Sequence, residues 1–139
     1  MRNMSLGAQT VILTLAVMVL GGCARRVVIS VDDVEKMIRE QVPIGAEKQK
    51  VKNFIDGIKV DALEVTRGEF RKVDKRFPPV GFWDRDKLAH LWDNVAELIG
   101  ARIKDTEGGF QNHNDIFIEF AIDKNGLMIG YTVRMVGTE

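Results

Sequence analysis

The chain has 139 residues, enough for one compact domain with a modest core and too few for two. Its composition, 45% apolar and 29% charged, is that of a globular protein, and twenty basic side chains balance twenty acidic ones. That balance argues against nucleic acid as a partner, because tight polyanion binding draws on a cationic surplus. The single cysteine excludes an intramolecular disulfide.

Residues 1–22 have the pattern of a secretory leader: Arg2 charges the start, an apolar run extends from Val11 to Leu20, and Gly21 and Gly22 follow. Gln9, Thr10 and Thr14 interrupt it, which leaves it short for a transmembrane span. The run ends at Leu20-Gly21-Gly22-Cys23, which resembles the bacterial lipobox. That resemblance implies cleavage before Cys23 and a thioether-linked diacylglycerol on its sulfur, so membrane lipid is an expected partner through acylated Cys23. Several acyl chains give an anchoring that a single chain does not. Ala24 after the cysteine resembles the signal for outer-membrane sorting in bacteria with two membranes. Removing the leader deletes only Arg2 from the charge count, leaving 19 basic against 20 acidic residues. The reading divides the chain into a leader at 1–22, a lipidated cysteine and tether at 23–31, and one domain at 32–139. The tether reaches roughly 25 to 30 Å at most. Arg25 and Arg26 within it suit anionic headgroups, each worth about 1 kcal/mol near a charged surface, or are a solvated tether.

Beyond the tether, Ser30 and Asp33 have capping-box spacing, and Val34, Met37, Ile38 and Val42 recur on one face, predicting a helix over 32–41. Pro43 and Gly45 break it. A second amphipathic helix over 46–56 then buries Val51, Phe54 and Ile55 before Gly57 closes it.

Ile58 to Val65 is expected to be a strand, with an alternation that slips at Ala62. Thr66 to Trp83 is marked as loop by Pro78, Pro79 and Gly81. Asp84 to Val95 is expected to be a third helix, with Leu88, Leu91, Trp92 and Val95 as its apolar stripe. Alternation then takes over. Glu97 to Asp105 predicts one strand, Asp115 to Ile122 a second with Ile116, Ile118, Phe120 and Ile122 on one face, and Leu127 to Met135 a third. Between the last two, Asp123-Lys124-Asn125-Gly126 is a hairpin turn, since Asn and Gly tolerate positive φ.

The expected fold class is therefore α+β: two N-terminal helices packed on one face of a three-stranded antiparallel C-terminal meander, with a helix-containing insertion between them. The leader, lipobox, helix pair with Pro43-Ile44-Gly45 between, and meander through Phe120-Ala121-Ile122-Asp123-Lys124-Asn125-Gly126-Leu127 resemble the small lipoproteins with a beta-lactamase-inhibitor-protein-like fold. The group includes the small accessory lipoprotein of the outer-membrane barrel-assembly machinery. The resemblance implies a helix pair on a three-stranded sheet and protein binding rather than catalysis. The long excursion from Ile58 to Asn94 departs from that pattern, and no binding residue is carried over.

Catalytic chemistry finds little to work with. Ser30 is the only serine after the leader, and an acylated Cys23 is no nucleophile. His90 and His113 lack the spacing of a zinc pair, so no metal or other cofactor is expected. The pairs Asp84 with Asp86 and Glu107 with Asp115 offer acid/base chemistry only if a cleft holds them together, the basis of an alternative reading as an envelope hydrolase. The one constellation that stands out is Arg67, Phe70, Arg71, Lys72, Lys75, Arg76, Phe77, Phe82 and Trp83. Arginines and aromatics supply hot spots at protein interfaces, so these residues are the candidate surface for an envelope protein partner. The other reading, in which the aromatics fold back as core beneath solvated cations, stays open.

Overall fold

The computed structural model describes residues 29–60, 63–76, 89–104 and 113–138. The leader, Cys23, Arg25, Arg26 and the 105–112 connection lie outside them, as do Phe77, Phe82, Trp83, the acidic pair Asp84 and Asp86, and Glu107.

Helix α1 spans Val31–Gln41 and starts as its sequence dictates. The Ser30 hydroxyl accepts from the Asp33 N–H at 3.1 Å while the Ser30 N–H donates to the Asp33 carboxylate at 3.0 Å, so two orphan donors are met reciprocally. Helix α2, Lys48–Gly57, has no side-chain cap. Its opening N–H, on Lys48, instead donates to the Gly126 carbonyl at 2.8 Å, in the turn of a distant hairpin. The helices begin thirty residues into the chain and precede every strand, so they are N-terminal only relative to the sheet.

The sheet is antiparallel and has five strands rather than the expected three: β1 (Val65–Arg67), β2 (Arg71–Lys72), β3 (Val95–Ile103), β4 (His113–Asp123) and β5 (Met128–Thr138). The α+β class holds. The additional strands come from the stretch expected to be loop. β1 and β2 both pair with β3, Arg67 opposite Ala101 and Arg71 opposite Leu98, so four steps on one side meet three on the other. They form a single edge strand interrupted by one extra residue, which is the geometry of a bulge. At its middle the Gly68 N–H reaches the Gly100 carbonyl at 2.8 Å. Gly100 is required there: a Cβ on it would stand 2.8 Å from the Ile118 carbonyl oxygen.

Two further expectations change. Ile58 to Val65 is not a strand before Val65: the Ile58 N–H closes the end of α2 on Ile55, and the Leu63 N–H turns back to Val60. Ile58 and Val60 are buried in the core without pairing, which is what the alternation registered. The third helix does not extend over its expected range; within the described residues a 3-10 segment occupies Ala89–Asn94, and Val95 already opens β3.

The core lies between the helices and one sheet face. Val34, Met37, Ile38, Val51, Phe54 and Ile55 from the helices join Ile99, Ala101, Ile103, Ile116, Ile118, Phe120, Ile122 and Met128 in one buried cluster. Phe120 is its centre, edge-on to Phe54 at 5.9 Å and tilted against Tyr131 at 6.0 Å. On the opposite face a smaller cluster of Val95, Leu98 and Ala121 is flanked by Val73, Trp92 and Ile129. Strict alternation along Leu127 to Met135 would set Ile129 beside Tyr131 and Val133, but the β4–β5 register slips between Ala121 and Ile122 and turns it to the other side, while Leu127 is left 37% exposed in the turn.

Candidate functional site

Of the segment proposed from sequence, residues 67–72 run along one sheet edge, and β alternation divides their side chains between the two faces. Arg67 points toward α2. Its Nε donates to the Ile55 carbonyl at 3.0 Å, its NH1 to the Val65 carbonyl at 3.4 Å, and its NH2 to the Ile58 carbonyl. It therefore closes the C-terminal end of a helix whose last carbonyls have no intrahelical donor. Arg67→Ala is expected to cost about 1–2 kcal/mol in chemical denaturation, the worth of charge-assisted hydrogen bonds. Arg67→Lys should fail to restore it, since one ammonium does not span the fork. A loss below about 0.3 kcal/mol would show that the helix end is satisfied otherwise.

Phe70, in the bulge, packs against the main core with the Lys48 ammonium 4.6 Å above its ring. The same ammonium meets the Glu97 carboxylate at 2.8 Å, pinning the start of α2 to β3. Lys48 and Glu97 lie 49 positions apart and carry no local motif, so nothing in the sequence announced them.

Arg71 emerges on the open face, opposite the helices, and meets Glu119 at 2.5 Å. Asp115 is 3% exposed and receives Arg102, whose Nε lies 2.6 Å from Oδ2 and whose guanidinium sits 5.2 Å from the centre of the Phe117 ring. Thr66, Arg102, Phe117 and Arg134 form one row across β1, β3, β4 and β5. The alternation of Gly100 with Arg102, and of Asp115 with Phe117 and Glu119, is the signal that would have located this face.

Lys72 is exposed, and Arg76 folds onto Asp74, its NH2 2.6 Å from the carboxylate. The side-chain bond from Arg76, then the backbone bond from its N–H, hold the Asp74 carboxyl below its ordinary range. Lys75 donates to the Trp92 carbonyl and stands 4.8 Å from the indole centre, joining the segment to the 3-10 turn. The structure thus brings Arg67 and Phe70 to the helical side and Arg71 to the open face, and exposes Lys72, Lys75 and Arg76 beyond.

A groove of about 440 Å³ lies beside that turn, lined among others by Leu91, Asp93, Val95, Asp123, Lys124 and Ile129. The Asp123 carboxylate is occupied locally, accepting from the Asn125 N–H at 2.8 Å and the Leu127 N–H at 3.0 Å. Of the carboxylates raised for acid/base chemistry, Asp115 is the one described, and Arg102 holds it. His90 is exposed, and His113 opens β4 opposite Thr138, two residues before the expected start of that strand at Asp115. Among the described residues no three His, Cys, Asp or Glu side chains cluster as metal ligands. No helix among them is long and apolar enough to cross a membrane.

The fold defines the chain as an α+β protein with one helix-covered sheet face and one that carries a small apolar cluster beside charged side chains. Compared with protein-family models, with curated proteins and with solved structures, it gives no match.

Proposed function

We propose that the chain is a lipid-anchored protein of the bacterial cell envelope whose α+β domain binds a protein partner. The observation that carries this reading is the run Leu20-Gly21-Gly22-Cys23, placed after a charged start and an apolar stretch and holding the only cysteine. In this reading the helix pair over the meander is a variant of the beta-lactamase-inhibitor-protein-like arrangement, with the 58–94 stretch adding an edge strand. Ala24 favours the periplasmic face of the outer membrane where the cell has two membranes. The partner surface is the exposed basic edge of Arg71, Lys72, Lys75 and Arg76, and the aromatics that follow them in the sequence, Phe77, Phe82 and Trp83, are its candidate anchors. Rim cations of this kind steer association, whereas aromatic anchors slow dissociation.

Mass spectrometry of the protein isolated from membranes tests the anchor. The expected N-terminus is an acylated Cys23, and Cys23→Ala is expected to accumulate as uncleaved, unlipidated precursor, because the thioether is the mark for cleavage. A free thiol at Cys23, or a mature chain beginning elsewhere, would sink the reading.

A further inference from the structure

The two edges of the sheet are built differently. The β1–β2 edge is short, broken by a bulge and studded with Arg67, Glu69 and Lys72, the devices that keep an edge from pairing. The β5 edge runs 11 residues with Arg134 as its only charged side chain and no proline. Its first residue is already engaged: the Met128 N–H donates to the Ala46 carbonyl and its carbonyl accepts from the Gly45 N–H, both at 2.8 Å. That contact covers the first residue of the edge with the turn between the helices. Beyond it, among the described residues, no further backbone hydrogen bond leaves β5 on that side.

We propose that this edge pairs antiparallel with β5 of a second copy of the chain, centred on Val133, so that two sheets become one. The pattern of residues 131 to 135 selects this occupant and this register. A two-fold axis through Val133 sets Tyr131 against Met135 of the second copy on the helical face, where both side chains are half-buried rims of the main core. On the open face it sets Thr132 against Arg134. Thr132 is itself opposite Glu119 within the chain, whose carboxylate Arg71 already meets, so each Arg134 of the pair adds a second cation to a row that ends in an acid two strands away. Two strand spacings are about 10 Å, within the combined reach of an arginine and a glutamate. A register shifted by one residue would put Arg134 against Arg134, and like charges directly opposite are destabilising.

Cysteine pairing reads both the partner and the register. Paired strands hold facing Cα atoms about 4.5–5.5 Å apart, inside the range a disulfide spans. In cells producing the full chain and treated with a permeant oxidant, Val133→Cys is expected to give a covalent dimer, with the wild-type chain as the control for Cys23. Thr132→Cys and Arg134→Cys are each expected to give little dimer alone and a clear heterodimer when produced together, and these open-face changes keep the test alive if Val133→Cys fails to fold. Thr132→Arg, placing arginines opposite each other twice, should weaken the dimer roughly tenfold, and adding Arg134→Glu should restore it. No dimer from Val133→Cys or from the mixed pair, equal yields at all three positions, or capture of a different protein at Val133 would each overturn the proposal.

Discussion

Phe120→Ala is expected to remove about 3–5 kcal/mol of stability, the range for deleting a buried aromatic ring from a core that only partly collapses around the gap. The residue is fully buried, and the two rings that touch it among the described residues come from other elements, Phe54 from α2 and Tyr131 from β5. Truncation therefore loosens the packing of helix on sheet and of strand on strand together. A domain of this size has about 5–15 kcal/mol in total, so the variant should unfold at markedly lower denaturant or not fold at all. Phe120→Leu, which keeps most of the volume, should lose much less. Urea titration followed by far-ultraviolet circular dichroism measures both. A Phe120→Ala loss under about 1 kcal/mol would mean that the helices do not rest on this face of β4.

What the sequence revealed and concealed follows from the range of each signal. α1 was legible because its cap and its stripe are local: Ser30 and Asp33 are three residues apart, and Val34, Met37 and Ile38 follow the helical period. β4 was legible because four apolar residues alternate across a sheet with one helix-covered face, and the turn because Asp123 binds two N–H groups within four residues. β1 and β2 left no such trace. At three and two residues, with an extra residue between, they are too short to show a period, and their strand state is imposed by β3. The misread third helix has a similar cause. Leu91, Trp92 and Val95 have helical spacing, yet Trp92 and Val95 pack into the small cluster beneath the sheet, where a 3-10 turn feeding a strand places them. In the candidate surface, sequence reasoning grouped cations and aromatics by proximity along the chain. It did not resolve Arg67 from its neighbours, because the carbonyls it closes belong to Ile55 and Ile58, and only the folded edge brings them to its guanidinium.

The open face supplies the second large effect, for an electrostatic reason. No buried side-chain polar atom among the described residues lacks a hydrogen-bond partner, and Asp115 is the only charged residue among them with a buried side chain. Arg102→Met keeps the apolar stem over Phe117 but removes the cation facing a carboxylate that is 3% exposed. Breaking a fully buried pair from one side costs about 3–5 kcal/mol, because the remaining charge has lost its partner without regaining water. Arg102 is itself 38% exposed, so solvent moderates the loss, and about 2–3 kcal/mol is expected. The double variant Arg102→Met with Asp115→Leu should recover most of it, since replacing both partners by apolar side chains leaves no buried charge. Denaturant titrations of the two single variants and the double give the coupling directly. If Arg102→Met costs less than about 0.5 kcal/mol, or if the double is no better than the single, then Arg102 is not what holds the Asp115 carboxylate, and the charged row of β3, β4 and β5 is a solvated surface rather than a fixed one.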